Sequence, residues 1–483
     1  MKLSGYDSIR NLSNAVIVLA EKDDVDQALR LIHDFVERII TEPLCTSQVF
    51  GSKVLDNLCQ RIGKANLAKI NLEISRAALG QRQQPVFVYI VTKVQKSGGH
   101  TRVIEDFIKA RPDGLHVILS TELCGRSDSD YLTNVLARQA NIVFEQAPKG
   151  NYQQRLTWLQ ERLLKSHPKR VYLFNNHQDC VAVAAIQPEM KLEASFYHHG
   201  DHHLCLGTYL SHLEHIDPHP MGYNNCRNFL GIENCYIPLT VDDKGARPTG
   251  WKFFQNSVLT TCTAARSNKI EIPYFLSYLE LVPKLLKATG GRHIHIGRLT
   301  PWALFRIRCG MKRNGIHPDK FIYTPWVPSV WKALLDYRVD LYIASFPYGG
   351  GLTLVEAMGA GIPVALHRHI VSRILSGIDL AYSQAFSWRS PDELLNYCTS
   401  LTPGVLEQGG RFGRLQYERF HSPGNLQAIL NDEHRRCPKP NDLSDTFAVE
   451  SDEWALWMER QLTIRRVLAR ALYRAVRRFR AWW

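Results

Sequence analysis

No run of about 18 consecutive apolar residues occurs in the 483-residue chain, so no transmembrane helix is expected. No C-x-x-C pair occurs either. Eleven cysteines, an odd number, are scattered over the whole length, which gives neither a zinc ribbon nor a disulfide framework and implies free thiols in a reducing cytoplasm. The start, MKLSGYDSIRNLSNAVIVLAEKDD, has an apolar patch too short and too interrupted by polar residues for a signal peptide. The final stretch lacks acid altogether: Arg460 to Trp483 holds eight arginines, and subtracting them from the formal +13 leaves +5 on the rest. A charge excess confined to a tail, with no aromatic-basic groove or nucleic-acid motif beside it, argues against nucleic acid as a partner.

What is present suits a globular protein. At this length, with 45% hydrophobic and 22% charged residues, two or three domains with proper cores are expected. Residues 1–83 read as helices, with apolar positions at Val25, Leu29, Ile32, Phe35 and Ile39 close to a 3.6-residue period. PVFVYIVTKV from Pro85 is the first buried strand, Gly98 and Gly99 turn the chain, and Thr101 opens a helix. Strands follow at 115–120, 141–145, 171–175 and 192–198, alternating with helices around 131–140, 151–165 and 179–187. That alternation implies a parallel sheet with helices on both faces. A polar, Gly- and Pro-bearing linker near 241–252 precedes a second series of the same kind, with strands at 258–262, RHIHI before Gly297 and Arg298, and FIYT before Trp326 and Val327.

The chain is organised around residues 339–367, VDLYIASFPYGGGLTLVEAMGAGIPVALH. Leu341 to Ala344 is a buried strand, Gly349, Gly350 and Gly351 let the backbone approach a ligand closely, and Thr353 with Glu356 fits a capping box that starts a helix. Free N–H groups at such a helix start suit a phosphate, and a carboxylate one turn in can accept hydrogen bonds from a ribose diol. Glu356 is the leading candidate for that contact.

Gly349, Gly351, Leu352, Glu356, Ala357, Met358, Gly361, Pro363 and Val364 together resemble the donor-nucleotide motif of GT-B glycosyltransferases of the family 4 type. SFPYGGGLTLVE is also similar to the corresponding stretch of the soluble bacterial asparagine N-glycosyltransferases and their O-GlcNAc transferase relatives. Tyr348 stands where the family 4 pattern has its first Glu, a departure that puts retaining chemistry in doubt. The resemblance implies an α/β GT-B fold, two Rossmann-like domains with parallel sheets facing a cleft, preceded by a small α-helical domain. The boundaries expected are 1–83 helical, 84–240 acceptor-side, 241–252 linker, 253–410 donor-binding, 411–430 a return helix, and 431–483 a linker with a basic amphipathic helix. It further implies that Arg266 and Lys269 neutralise the donor diphosphate, that Gly297 and Arg298 border the same crevice, and that Trp326 and Val327 hold the base. Gly98, Gly99 and His100 would form the acceptor-side loop, although a simple strand-to-helix turn explains them as well.

YHHGDHHLCLG is the other unusual stretch: His198, His199, His202, His203, His212, His215 and His219 are seven histidines within 22 residues. Three readings stand: a zinc site with His212 and His215 on one helix face, an acid/base cluster, or histidines satisfied by hydrogen bonds at a domain edge. Since GT-B enzymes generally need no metal, no metal or cofactor is expected, and Asp201 with His199 or His202 is the candidate catalytic pair, with Lys269 opposite. The tail carries apolar residues at Ile464, Leu468, Leu472, Val476, Phe479 and Trp483 among its arginines, a cationic amphipathic helix suited to an anionic membrane surface, to docking on the protein, or to RNA. The function expected is transfer of a sugar from a nucleotide-diphosphate sugar, a UDP-sugar, to a glycan or lipid-linked acceptor, by a cytoplasmic protein peripheral on the inner membrane. A protein glycosyltransferase acting on Asn or Ser/Thr and a non-catalytic sugar-nucleotide-binding or membrane-scaffolding protein are the alternatives.

Overall fold

The structure, a computed structural model, describes residues 9–42, 45–70, 84–95, 99–128, 131, 141–272, 274–432, 437–441, 443, 458–459 and 461–482. β1 (Val86–Val91), β2 (Leu115–Ser120), β3 (Ile142–Gln146), β4 (Arg170–Phe174), β5 (Ala194–Tyr197), β6 (Glu214–Asp217) and β7 (Asn234–Tyr236) form a first sheet in the order β3-β2-β1-β4-β5-β6-β7. β8 (Thr260–Ala264), β9 (Arg292–Ile296), β10 (Phe321–Thr324), β11 (Leu341–Ile343), β12 (Val364–His367) and β13 (Phe386–Trp388) form a second, ordered β10-β9-β8-β11-β12-β13. Every pairing is parallel. VFVYIV of β1 is buried at all six positions, the mark of a strand covered on both faces.

Counted from its own first strand, each sheet runs 3-2-1-4-5-6, with the first adding a seventh strand at its edge. Both are therefore doubly wound, and the order reverses between β1 and β4 and again between β8 and β11. Ligands of such sheets bind beyond the carboxyl ends of the strands at that reversal.

β6, β7 and β13 depart from the sequence expectation, in which none was a strand. Their sequences, EHID, NCY and FSW, are only three or four residues long and form no continuous aliphatic run, and pairing with a neighbouring strand makes them extended. His215 consequently lies on β6 and His212 in the turn before it, so the helix face expected to join them does not form.

Helices Ile9–Glu21, Val25–Ile40 and Lys53–Leu67 precede the first sheet. Asp24 caps the second by accepting from the Gln27 N–H at 3.2 Å, and Ser52 caps the third through the Leu55 N–H at 3.4 Å. Val25, Ala28, Leu29, Ile32 and Val36 make one buried stripe, and it joins the same apolar cluster as Val86, Val88 and Ile90 of β1. A side chain on Gly63 would collide with the Ala184 carbonyl, so the third helix lies backbone to backbone on helix Cys180–Ala185. These helices thus cover one face of the first sheet and share its core.

The chain crosses between the sheets twice. In the first crossing, Asp242 pairs with Arg102 at 2.9 Å and Lys109 at 3.0 Å on the first-sheet side, while its neighbour Asp243 accepts from Arg414 on the second at 3.0 Å. The Leu239 carbonyl accepts from His421 Nδ1 at 2.7 Å and the Val241 carbonyl from the Tyr417 hydroxyl at 2.8 Å. The second crossing brings helix Pro423–Asn431 onto helix Gly99–Lys109, where Arg111 donates to the Leu430 carbonyl at 2.6 Å.

Candidate functional site

The turn at the second sheet's reversal meets the first-sheet side near Leu239 and His219. On the second sheet, β11 leads through Ser345 to the three glycines, and helix Gly351–Gly359 begins with Gly350 as its cap residue. This differs from the capping box expected at Thr353, whose hydroxyl donates to the Gly350 carbonyl and accepts from Tyr342, each at 3.0 Å. With no side chain capping the helix, its first amides and positive dipole end stay open toward the cleft. Close approach requires glycine at 349, where a Cβ would lie 2.7 Å from the Leu375 carbonyl, while a Cβ on Gly351 would lie 3.0 Å from Leu239 Cδ1 and 3.6 Å from His219 Nε2, which shows how near the first-sheet side comes.

Lys269, on the short Ser267–Ile270 helix after β8, donates from Nζ to the Gly349 carbonyl at 2.9 Å, and burial pushes its ammonium pKa down. Glu356 faces inward on the Gly351–Gly359 helix. Burial raises its carboxyl pKa, opposed by the Lys244 ammonium 3.9 Å away, and Lys244 also donates to Ser329 at 2.9 Å. Lys244 belongs to the linker and was not singled out from sequence.

The remaining donor-side candidates separate. Gly297 is structural, since its φ of +124° and a Cβ collision with the Ala265 carbonyl exclude other residues. Arg298 is exposed and gives its carbonyl to the Ser267 N–H at 2.9 Å, and Arg266, also exposed, precedes that short helix. Val327 and Leu352 pack partly buried against the core, whereas Trp326 is 67% exposed on the loop after β10.

On the first sheet, a cavity of about 220 Å³ opens at the β1/β4 reversal, lined by Lys93, Gln95, Gly99, His100 and Thr101 after β1, Asn175, Asn176 and His177 after β4, and His199 and Gly200 after β5. Gly98 lies outside the described residues. His100 and His199 meet edge to face with ring centroids 4.1 Å apart. Burial pushes His100 down to about 4 and His177 and His199 well below the ordinary imidazole value, which favours the uncharged ring in all three. Each presents a buried ring nitrogen without a hydrogen-bond partner: Nε2 of His100, Nε2 of His177 and Nδ1 of His199.

Asp201 pairs with His202, one of its two expected partners, but its closest partner is His219. Its Oδ2 accepts from His219 Nδ1 at 2.6 Å, His202 stands 3.8 Å away, and His199 turns to His100 instead. Burial alone would raise the Asp201 carboxyl pKa, but the adjacent His219 and His202 hold it below the usual range; in return Asp201 outweighs the burial of His219 and raises its pKa. His219 follows β6 and reaches the loop after β5 because those strands are neighbours. The sequence offered His219 only as one histidine among seven.

Two further segments adjoin the cleft. Ser47, before the third helix, donates its N–H to the His202 carbonyl at 2.8 Å and pairs its hydroxyl with Ser372 of the second-sheet side at 2.6 Å. The tail helix Ile464–Trp482 sets Arg470 and Arg474 at 3.2 and 3.7 Å from Glu42. Its apolar residues point outward: Ile464 is 79%, Leu468 64%, Leu472 67% and Val476 42% exposed. The side chains of Phe479 and Trp483 lie outside the described residues. No described helix is long and apolar enough to cross a membrane.

No family model and no curated protein matches this sequence. Solved structures do resemble it. A glycosyltransferase from Rickettsia africae superposes with a TM-score of 0.53 at 12% identity, covering 71% of this chain and 96% of that one. HepE of Anabaena in complex with UDP gives 0.52 at 10%, covering 71% and 97%. A mutant O-GlcNAc transferase of Thermobaculum terrenum gives 0.50 at 14% and covers more of this chain, 88%, with 83% of its own. Two doubly wound parallel sheets, joined by two crossings and meeting at their carboxyl ends, have the GT-B fold.

Proposed function

We propose that this chain is a glycosyltransferase that moves a sugar from a UDP-sugar to a glycan or lipid-linked acceptor in surface polysaccharide biosynthesis. The observation that carries this reading is the opposition of two unlike walls: an uncapped glycine turn with Lys269 on one, and the Asp201–His219 pair beside a histidine-lined cavity on the other. In this reading the diphosphate lies on the amides of Gly350 and Gly351 and against Lys269, Glu356 takes the ribose diol, and Trp326 covers the base. The acceptor's hydroxyls reach the unpartnered nitrogens of His100, His177 and His199. Asp201 fixes the Nδ1–H tautomer of His219 and leaves Nε2 able to take a proton. The acceptor oxygen bonds to the anomeric carbon, the bond from that carbon to the diphosphate oxygen breaks, and the acceptor's proton goes to His219. Lys269 and the helix dipole stabilise the charge that develops on the departing diphosphate. The UDP-glucose held by HepE supports the choice of donor.

The tail favours a membrane surface over docking through its apolar side, because Arg470 and Arg474 face the protein while Ile464, Leu468 and Leu472 face outward. A protein acceptor is the second reading, favoured by the O-GlcNAc transferase likeness extending over 88% of the chain. A thermal-shift panel of UDP, GDP, ADP, CMP and dTDP tests the donor, and UDP is expected to raise the melting temperature most. Mass spectrometry of a co-expressed polypeptide separates the acceptors, since hexose or N-acetylhexosamine on protein supports the second reading.

A further inference from the structure

Behind the Asp201–His219 pair, four side chains of metal-ligand type converge in a buried position that the transfer reading leaves unused. His198 follows β5, His215 and Asp217 lie on β6, and Cys226 sits in the turn Asn225–Phe229; their ligand atoms lie within 4.8 Å of one another. His198 Nδ1 is 3.1 Å from one Asp217 oxygen, His215 Nε2 is 3.3 Å from the other, and Cys226 Sγ is 3.4 Å from His198 Nδ1 and 3.6 Å from Asp217. Zinc bonds of about 2.0–2.3 Å to nitrogen, oxygen and sulfur place tetrahedral ligand atoms roughly 3.3–3.7 Å apart, and these spacings fall in or beside that range.

A plain hydrogen-bond network explains the His198–Asp217 contact and the Asn234 amide that donates to Asp217 at 2.7 Å. His215 Nε2, buried 3.3 Å from the second Asp217 oxygen, would pair with it if protonated. What such pairing does not call for is the gathering of two imidazoles, a carboxylate and a thiol, with one ligand atom of each within 4.8 Å of the others, in a fully buried place.

We propose that His198, His215, Asp217 and Cys226 bind one zinc-type divalent ion. Two imidazoles, a thiolate and a carboxylate suit zinc rather than magnesium or calcium, four protein ligands close the sphere, and the Asn234 amide holds the carboxylate from outside. The site would therefore be structural. It would also clamp two loop stems, because Asp201 comes three residues after His198 and His219 two after Asp217. That positioning role rests on the transfer reading, whereas metal binding does not, so the two can fail separately.

The test uses the full chain purified without chelator. Elemental analysis is expected to find one zinc per chain. After chelation, added cobalt(II) is expected to give the visible bands of a tetrahedral site with a thiolate-to-cobalt charge-transfer band, and added zinc to raise the melting temperature. Cys226→Ser is expected to lose the charge-transfer band, and His215→Ala to lose stoichiometric zinc. If either variant fails to fold, the wild-type cobalt spectrum decides alone. Wild-type protein that takes up neither ion, cobalt bound without the thiolate band, or a band that survives in folded Cys226→Ser overturns the proposal.

Discussion

The two sheets have the same strand order but carry opposite chemistry at their reversals. The β8/β11 wall is built from absence, with glycines lacking side chains, a helix lacking a cap and one lysine. The β1/β4 wall and the loops after β5 and β6 are crowded with imidazoles and a carboxylate. A wall of bare amides can grip the same anion in every catalytic cycle, while a wall of side chains can recognise hydroxyls and move a proton. In the proposed reading, the fold supplies two facing positions, and the loops divide binding from proton transfer between them.

The comparison breaks hardest at His219. Replacing it by Ala is expected to slow transfer about 10²–10⁴-fold, as for loss of a general base, while UDP affinity stays unchanged; weakened UDP binding would erase the division. Lys269→Ala is expected to lower turnover about 10²–10³-fold with the melting temperature nearly preserved, since it removes charge stabilisation in the transition state. Full transfer by a folded Lys269→Ala protein would leave the glycine wall without a catalytic part. Glu356→Gln should weaken UDP binding by roughly tenfold, in line with a charge-assisted hydrogen bond worth about 1.5 kcal/mol, and calorimetry reads this directly. Trp326→Ala should weaken UDP by about two- to fivefold through lost stacking and leave acceptor affinity alone. The tail probes the comparison least: Leu468→Asp with Leu472→Asp is expected to abolish sedimentation with anionic vesicles and leave transfer to a soluble acceptor intact. Equal sedimentation of this variant and the wild type would detach the tail from membranes.

Most strands were legible because burial on both faces demands continuous apolar runs, as in VFVYIV of β1 and LYI of β11. Those that escaped, β6 and β7 above all, form no continuous aliphatic run because their residues hold Asp217, Asn234 and His215 together, a long-range demand with no local period. The glycine wall was readable for the same reason that β1 was: its constraint is local, a turn followed by a helix. The partner of Asp201 was not, because 18 positions separate it from His219 and only the neighbouring of β5 and β6 brings them together. Thr353 misled because the helix begins two residues earlier, at Gly351, so its hydroxyl bonds back to the Gly350 carbonyl from inside the first turn.

The adjacent carboxylates of Asp242 and Asp243 grip opposite lobes, and the helix Pro423–Asn431 ties the lobes a second time. Two tethers define a line, as two pins do for a door. Swinging about that line stretches neither tether, whereas sliding or twisting one lobe past the other must strain both. Any mouth that opens to admit a substrate should therefore gape along the edge farthest from the tethers, and a larger acceptor should enter from that side.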